Sequence, residues 1–452
     1  MESLHTLVSF VVAIAILVAV HEFGHFIVAM KLGIKVEKFS IGFGPALFSW
    51  HGKNNGVEYI IAAIPLGGYV KMLGENLDEQ GDETTQKLSP EELARAFHVQ
   101  PVWKRAAVAV AGPVFNFIFA MVAYMCVAWL GQQVMPPVVG HVAANSVSER
   151  AGIQPHDRLL TLNGHTLHSW NQFEERLKDT VGTTVAVDVA RDGHVFSVTM
   201  PVSAVDKDAL LVNISEESLG LSLGMQVLVD SVVKGSPAEI AGLKVGDEFI
   251  QVGDKDLDGV RQLIREIQSH AGQTLPLLVL RDGVRLRLQI TPKAENERGV
   301  GKAGVHLVSK PLTEPIVYQR GLWEGVVYGV ERTYEMTVLT LQVMGKMVTS
   351  AISPENLGGP IAIAQLAGRT ADLGLVAFIT FLALISVNLG VLNLLPVPIL
   401  DGGHLVYLGL EKLRGKPLSD VVMERTQMIG VLLIGLLMVF AFYNDLMRLF
   451  RG

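Results

Sequence analysis

The stretch "VHEFGHF", Val20–Phe26, closes an apolar run that begins "LHTLVSFVVAIAILVA" at Leu4. A run of that length can cross a bilayer as a helix. Ionisable groups inside such a helix are costly, and where they occur they usually serve function. His21, Glu22 and His25 read H-E-x-x-H, and on a helix positions i and i+4 share a face. Two imidazoles at that spacing can bind one zinc ion (Zn2+), and Glu22 between them is placed to take a proton from water at the metal. The competing reading is a satisfied polar cluster in a helix bundle. The motif is short enough to occur by chance, so the choice turns on a third ligand.

The chain has 452 residues, too many for one small domain, and half of them are hydrophobic. Its mean hydropathy of +0.38 exceeds that of an ordinary soluble protein. The net charge of -7 is dispersed with no basic tract, which argues against nucleic-acid binding. The single cysteine, Cys126, excludes an intrachain disulfide and reads as a small buried hydrophobe. "MESLHT" lacks the positive segment of a signal peptide, so the first span is expected to be retained.

Four segments have the length and composition of membrane spans: about Leu4 to Met30, Ala106 to Leu130, Leu373 to Leu395 and Thr426 to Tyr443. A fifth apolar stretch, Leu322 to Val348, carries Glu324, Glu331, Arg332, Glu335 and Lys346. It reads as an amphipathic helix on the membrane surface or packed on the other helices. Lys31, Lys35, Lys38, Lys104, Arg105, Lys412, Arg414, Lys416 and Arg425 cluster in the 31–105 and 396–425 loops. Those loops are then cytoplasmic, with both termini and the 131–372 segment outside.

The outer segment repeats itself. "AGIQPHDRLLTLNG" at Ala151 recurs as "AGLKVGDEFIQVGD" at Ala241, 90 residues later, and "RDG" at 191 recurs at 281. Two matches at one offset indicate duplicated lobes. "SLGLSL" (Ser218–Leu223) ends the first copy, and "KAGVHL" (Lys302–Leu307) comes near the end of the second. The pattern resembles tandem PDZ domains, a family that binds peptide termini by adding a strand in a groove. The expected layout is 1–32, the first span; 33–105, a loop with a membrane-associated β-hairpin; 106–130, the second span; 138–224 and 225–309, the two PDZ domains; 310–372, the amphipathic helix and a loop; 373–395, the third span, followed by an L-D-G segment at 396–404; and 426–445, the fourth span. The fold class is a polytopic α-helical membrane protein.

The third ligand must reach the depth of His21 and His25. "NLLPVPILDGGH", Asn393–His404, follows the third span at the cytoplasmic side and offers Asp401 on a segment broken by Pro396 and Pro398. A carboxylate suits a zinc set already holding two histidines, and two following glycines allow close backbone approach. His404, which also reads as a helix-start residue, and Glu75, in a polar loop, are the rivals.

"HEFGH" in a first span paired with "NLLPVPILDGG" in a later one resembles the site-2 protease family of intramembrane zinc proteases, and "AGPVFN" and "SVNLGVLN" strengthen the likeness. The resemblance implies that His21, His25 and Asp401 ligate zinc and that Glu22 is the base. It implies cleavage of single-pass membrane proteins in or near their span, after another protease has trimmed them. Bacterial members with this layout act on an anti-sigma factor and on remnant signal peptides, in the inner membrane, with paired PDZ domains that screen substrates by size.

Further residues carry expectations. Asn388 and Asn393 are uncharged donors on the metal side of the third span, fit either to steady an oxyanion or to bond between helices. "GVEYIIAAIPLGGYVKM", Gly56–Met72, reads as a hairpin bent at Gly67 and Gly68, and "SIGFGPALF", Ser40–Phe48, as another glycine-rich turn. A substrate helix must unwind to expose a peptide bond, and a sheet edge bearing Ile61 and Tyr69 could receive the extended chain. "NLGGPIAIA", Asn356–Ala364, reads as a gating loop. The alternative from another class is a catalytically silent membrane scaffold binding peptide tails through its PDZ pair. Complete ligand and base positions argue against it.

Overall fold

The structure, a computed structural model, describes residues 2–53, 55–74, 89–204, 213–257, 259–294, 300–349 and 358–451. Two compact units divide the chain: Met1–Gln132 with Gln319–Gly452, and Gln133–Tyr318.

The first unit is built from helices α1 (Glu2–Lys31), α2 (Val102–Leu130), α3 (Leu322–Val348), α4 (Pro360–Asp372), α5 (Leu375–Asn393), α6 (Asp401–Arg414) and α7 (Asp420–Arg451). Four of these, α1, α2, α5 and α7, are long and apolar enough to cross a membrane. Apolar side chains give no net drive for helices to associate in lipid, so close backbone approach and interhelical hydrogen bonds do the work. Ser386 Oγ on α5 donates to the Asn116 carbonyl of α2 at 2.9 Å. On α3, a Cβ at Gly325 would sit 2.1 Å from the Trp129 indole nitrogen, and one at Gly329 would sit 2.6 Å from the Met121 carbonyl oxygen. With Thr340 bonded to Asn388 of α5, α3 is anchored along its length on α2 and α5. Its Tyr328, Met336 and Met344 pack on the core of Ala120, Tyr124, Ala383 and Val387. Asp445 on α7 accepts from the amides of Gly359, Ile361 and Ala362 at 2.9, 2.9 and 3.1 Å, capping the start of α4.

Between α1 and α2 lie strands β1 (Val36–His51) and β2 (Glu58–Met72). They differ from the expected hairpin. Gly42 and Gly44, at φ 96° and 86°, turn β1 back on itself. Its second half pairs antiparallel to β2 (Phe48 with Ile61, His51 with Glu58), while Lys38–Ile41 lies parallel along the other side of Glu58–Ile61. Lys38–Ile41 also pairs antiparallel with Gly68–Lys71. The two arms of Gly56–Met72 therefore do not pair with each other, because Lys38–Ile41 inserts between them and satisfies both. Ile61 is interior, flanked by Phe48 and Ile41; Tyr69 is in an outer segment.

In the second unit two lobes share one plan. The first has strands in the order His165–Thr166, Arg158–Leu162, Thr184–Arg191, His194–Pro201, with a separate ladder of Val139–Val142 and Leu221–Leu223. In the second, Val284–Ile290, Leu275–Arg281, Glu248–Val252, Met225–Val232 and Val305–Pro311 form one continuous path. Leu159, Phe173, Leu177 and Val187 fill the first core, and Phe249, Leu263, Ile267 and Leu277, each 90 positions later, fill the second. A fully buried aspartate braces each: Asp157 with Arg191 at 2.6 Å, and Asp247 with Arg281 at 2.6 Å.

Candidate metal centre

Helix α1 supplies His21 and His25 one turn apart, with Glu22 between them. Helix α2 crosses it at small residues. A Cβ on Gly24 would lie 2.5 Å from the Ala111 carbonyl oxygen, and one on Gly112 would lie 2.3 Å from His25 Nε2 and 2.7 Å from His21 Cε1. Any side chain at Gly112 would fill the space in front of the two imidazoles.

Asp401 is the first residue of α6. The segment that delivers it carries Pro396, Pro398 and then Ile399 at φ 89°. A β-branched residue at positive φ is strained, so its surroundings must hold it there. Cβ atoms on Gly402 and Gly403 would lie 2.2 Å from the Leu395 carbonyl oxygen and 2.4 Å from that of Val397. The close backbone approach expected of the two glycines is thus realised as a tight fold of the loop against the helix start. The Arg105 guanidinium pairs with Glu411 and ties the start of α2 to the far end of α6.

The three candidate ligands converge. His21 Nε2 lies 3.3 Å from His25 Nε2 and 3.2 Å from Asp401 Oδ2, and His25 Nε2 lies 3.5 Å from Asp401 Oδ1. Zinc–ligand distances of about 2.1 Å at tetrahedral angles separate ligand atoms by about 3.4 Å, so the spacings fit that ion. The protonation of His25 fits as well. His25 Nδ1 donates to the Val108 carbonyl at 2.8 Å, which leaves Nε2 as the lone-pair nitrogen of the neutral ring. Asp401 Oδ2 is buried without a hydrogen bond. Acceptors crowded this closely repel unless a cation lies among them. Among the described residues, this trio is the one group of three ligand types with metal-binding proximity.

Around it, Glu22 is near enough to His21, His25 and Asp401 to sense their charges. Asn393 Nδ2 lies 3.4 Å from His21 Nε2. Asn388 sits further back, its Oδ1 accepting from Thr340 Oγ1 at 2.7 Å, which is the interhelical role. His404 is exposed and stands edge-on to Tyr407, outside the converging trio. Glu75 lies outside the described residues, as do the first two residues of Asn356–Ala364. The outer segment Gly68–Met72 runs beside α1: a Cβ on Gly68 would lie 2.9 Å from Glu22 Cγ, and one on Gly67 would lie 2.1 Å from the Phe43 ring. Tyr69 stacks on Phe43 at 6.4 Å. Sequence reasoning missed Val108, Gly112, Asn116, Arg105 and Glu411. The available signal for Gly112 and Asn116 was "AGPVFN", quoted for the resemblance without a role for either residue, and for Asn116 an amide inside an otherwise apolar span.

Comparison with known proteins gives the family. Residues 9–437 match Peptidase family M50. The regulator of sigma-E protease RseP of Escherichia coli (strain K12) is 39% identical over 458 residues, covering 98% of this chain and 98% of that protein. A Pasteurella multocida (strain Pm70) protein whose name assigns it to the zinc metalloproteases is 37% identical over 466 residues, covering 99% of this chain and all of its own length. Among solved structures, the PDZ domain of an SdrC-like protein of Listeria monocytogenes is 24% identical over 18% of this chain and 86% of its own, with a TM-score of 0.17. With matches over nearly its whole length, the chain belongs to peptidase family M50, metalloproteases of the site-2 type.

Proposed function

We propose that this protein is an intramembrane zinc endopeptidase that cuts single-pass membrane proteins within or near their membrane-spanning segment, after another protease has trimmed the outer part. The observation that carries the reading is the mutual spacing of His21 Nε2, His25 Nε2 and Asp401, which suits tetrahedral zinc. These three residues would hold the ion. When bound, zinc acidifies water and polarises a carbonyl. Glu22 takes up the proton released from the attacking water and delivers it to the leaving amine. The Asn393 amide, close to His21, is positioned to donate to a developing oxyanion. The outer segment Gly68–Met72 offers its backbone, beside Glu22, to an unwound substrate strand, with Gly67, Gly68 and Tyr69 shaping that edge.

The resemblance to the bacterial site-2 proteases supports substrates of the anti-sigma-factor kind, with remnant signal peptides as a second class. The likeness to the bacterial regulator of sigma-E protease supports the inner membrane, and the lysine and arginine bias supports both termini and the duplicated lobes on the periplasmic side, with the site towards the cytoplasm. The lobes are read as tandem PDZ domains that either hold peptide termini or filter substrates by size. The test is cleavage of a tagged single-span substrate in detergent by wild type and Glu22→Gln, with zinc content measured in both. A fall of about 10²–10⁴-fold with zinc retained is expected. Equal cleavage by both would sink the assignment, and failure of wild type on a panel of trimmed substrates would favour the silent scaffold.

A further inference from the structure

Asn116 lies fully buried on α2, with its Nδ2 3.0 Å from His21 Nδ1 and its Oδ1 without a hydrogen-bond partner. As a zinc ligand through Nε2, a neutral His21 must carry its hydrogen on Nδ1, because the ring has one donor and one acceptor. A donor would then face a donor across 3.0 Å. The two ends of an amide have nearly the same shape and are told apart by their partners. Turning the Asn116 amide over replaces the clash with an Nδ1–H···Oδ1 hydrogen bond and leaves only the amide nitrogen without a partner.

We infer that the Asn116 carbonyl is the positioning acceptor for His21: it selects the tautomer and aims Nε2 at the site. This inference rests on the zinc reading above. Val108 gives the same service to His25 through its backbone carbonyl, so α2 reads both Nδ1 atoms. The backbone carbonyl of Asn116 is fixed by Ser386 of α5, and the neighbouring Gly112 lets α2 come close enough for both bonds. A carbonyl acceptor of this kind usually accounts for a 10–100-fold share of metal affinity, roughly. It does so without touching the metal.

The experiment uses the full-length protein in detergent and measures zinc affinity by competition with a chromogenic chelator. Asn116→Leu keeps the shape and removes the acceptor; Asn116→Asp keeps an accepting oxygen and removes the amide donor. Asn116→Leu is expected to lose about 10–100-fold in affinity and Asn116→Asp to stay within about threefold of wild type. Cleavage by Asn116→Leu recovers when zinc is raised. Equal losses in the two variants, or no loss in the leucine variant, overturn the inference. Should aspartate prevent folding, nitrogen-15 shifts of histidine-labelled metal-free wild type decide, with His21→Ala to assign the ring. Hydrogen on Nδ1 supports the inference, and hydrogen on Nε2 overturns it. If wild type and His21→Ala bind zinc alike, the zinc reading itself falls; if binding depends on His21 yet the two Asn116 variants fall together, only the role of Asn116 does.

Discussion

Asp247 in the second lobe and Asp401 at the start of α6 are both aspartates in enclosed positions, and their surroundings are opposite. Asp247 accepts from Arg281 at 2.6 and 2.7 Å and from the Lys244 amide at 2.9 Å. Asp157 repeats the arrangement with Arg191 and the Gln154 amide. Asp401 faces two imidazoles, which are cationic only when protonated, and its Oδ2 is buried without a hydrogen bond. A carboxylate whose two oxygens both accept from a guanidinium, one of them also from an amide, braces a fold. One whose lone pair points, unpaired, at two other lone pairs suits a metal. Asp247 is the more deeply buried of the two, but the hydrogen-bond inventory is what tells a brace from a candidate ligand.

The comparison breaks most sharply at Asp401. Asp401→Asn should take cleavage to the uncatalysed background and strip zinc from the purified protein. Its unfolding should resemble that of metal-free wild type, since no brace is lost. A variant that unfolds early would place Asp401 with the braces. Asp247→Ala and Asp157→Ala should do the reverse. Each strands a partly buried arginine and costs about 3 kcal/mol within its lobe. Hydrogen exchange in the full-length protein should show the loss confined to the lobe concerned, with zinc affinity unchanged.

A smaller effect comes from pH. Burial works to raise the Asp247 carboxyl, but the Arg281 and Lys244 hydrogen bonds outweigh it and hold the group below the ordinary carboxylate value. A lowered folded-state pKa means that the stabilisation is present above about pH 4, the unfolded value. It is lost as pH falls through the folded value. The gap in exchange protection between wild type and Asp247→Ala should therefore hold from neutrality to about pH 5 and narrow in stronger acid. A gap that closes near neutrality would show that the brace is not ionic.

Much of this was legible beforehand because it is periodic or local. The four spans follow from apolar length, and the lobes from a 90-residue offset that the four core pairs, Leu159 with Phe249 through Val187 with Leu277, obey in space. The three candidate ligands, which the structure brings within 3.5 Å of one another, were picked out by spacing on one helix and a broken segment at matching depth. The remainder depends on packing between distant positions. Nothing local in "AGPVFN" says that Asn116 meets His21, 95 residues earlier, and nothing near Arg105 points to Glu411, 306 residues on. The sheet misled for another reason. Its extended arms and glycine bends were readable, but whether the arms of Gly56–Met72 pair together or admit Lys38–Ile41 between them is decided by which edges come into reach.

Ile399 has a consequence for how the sequence can drift. Among the described residues, the other non-glycine positions at positive φ are Asn145, His156, Asn163, Asp192 and Asp282, types that tolerate it. Glycine at 399 would release roughly 1–2 kcal/mol of backbone strain and make the chain harder to melt, while letting Asp401 wander from its two imidazoles. The exchange would trade a less strained backbone for a looser hold on the candidate ligand. The residue marks a point where robustness and activity pull the sequence in opposite directions.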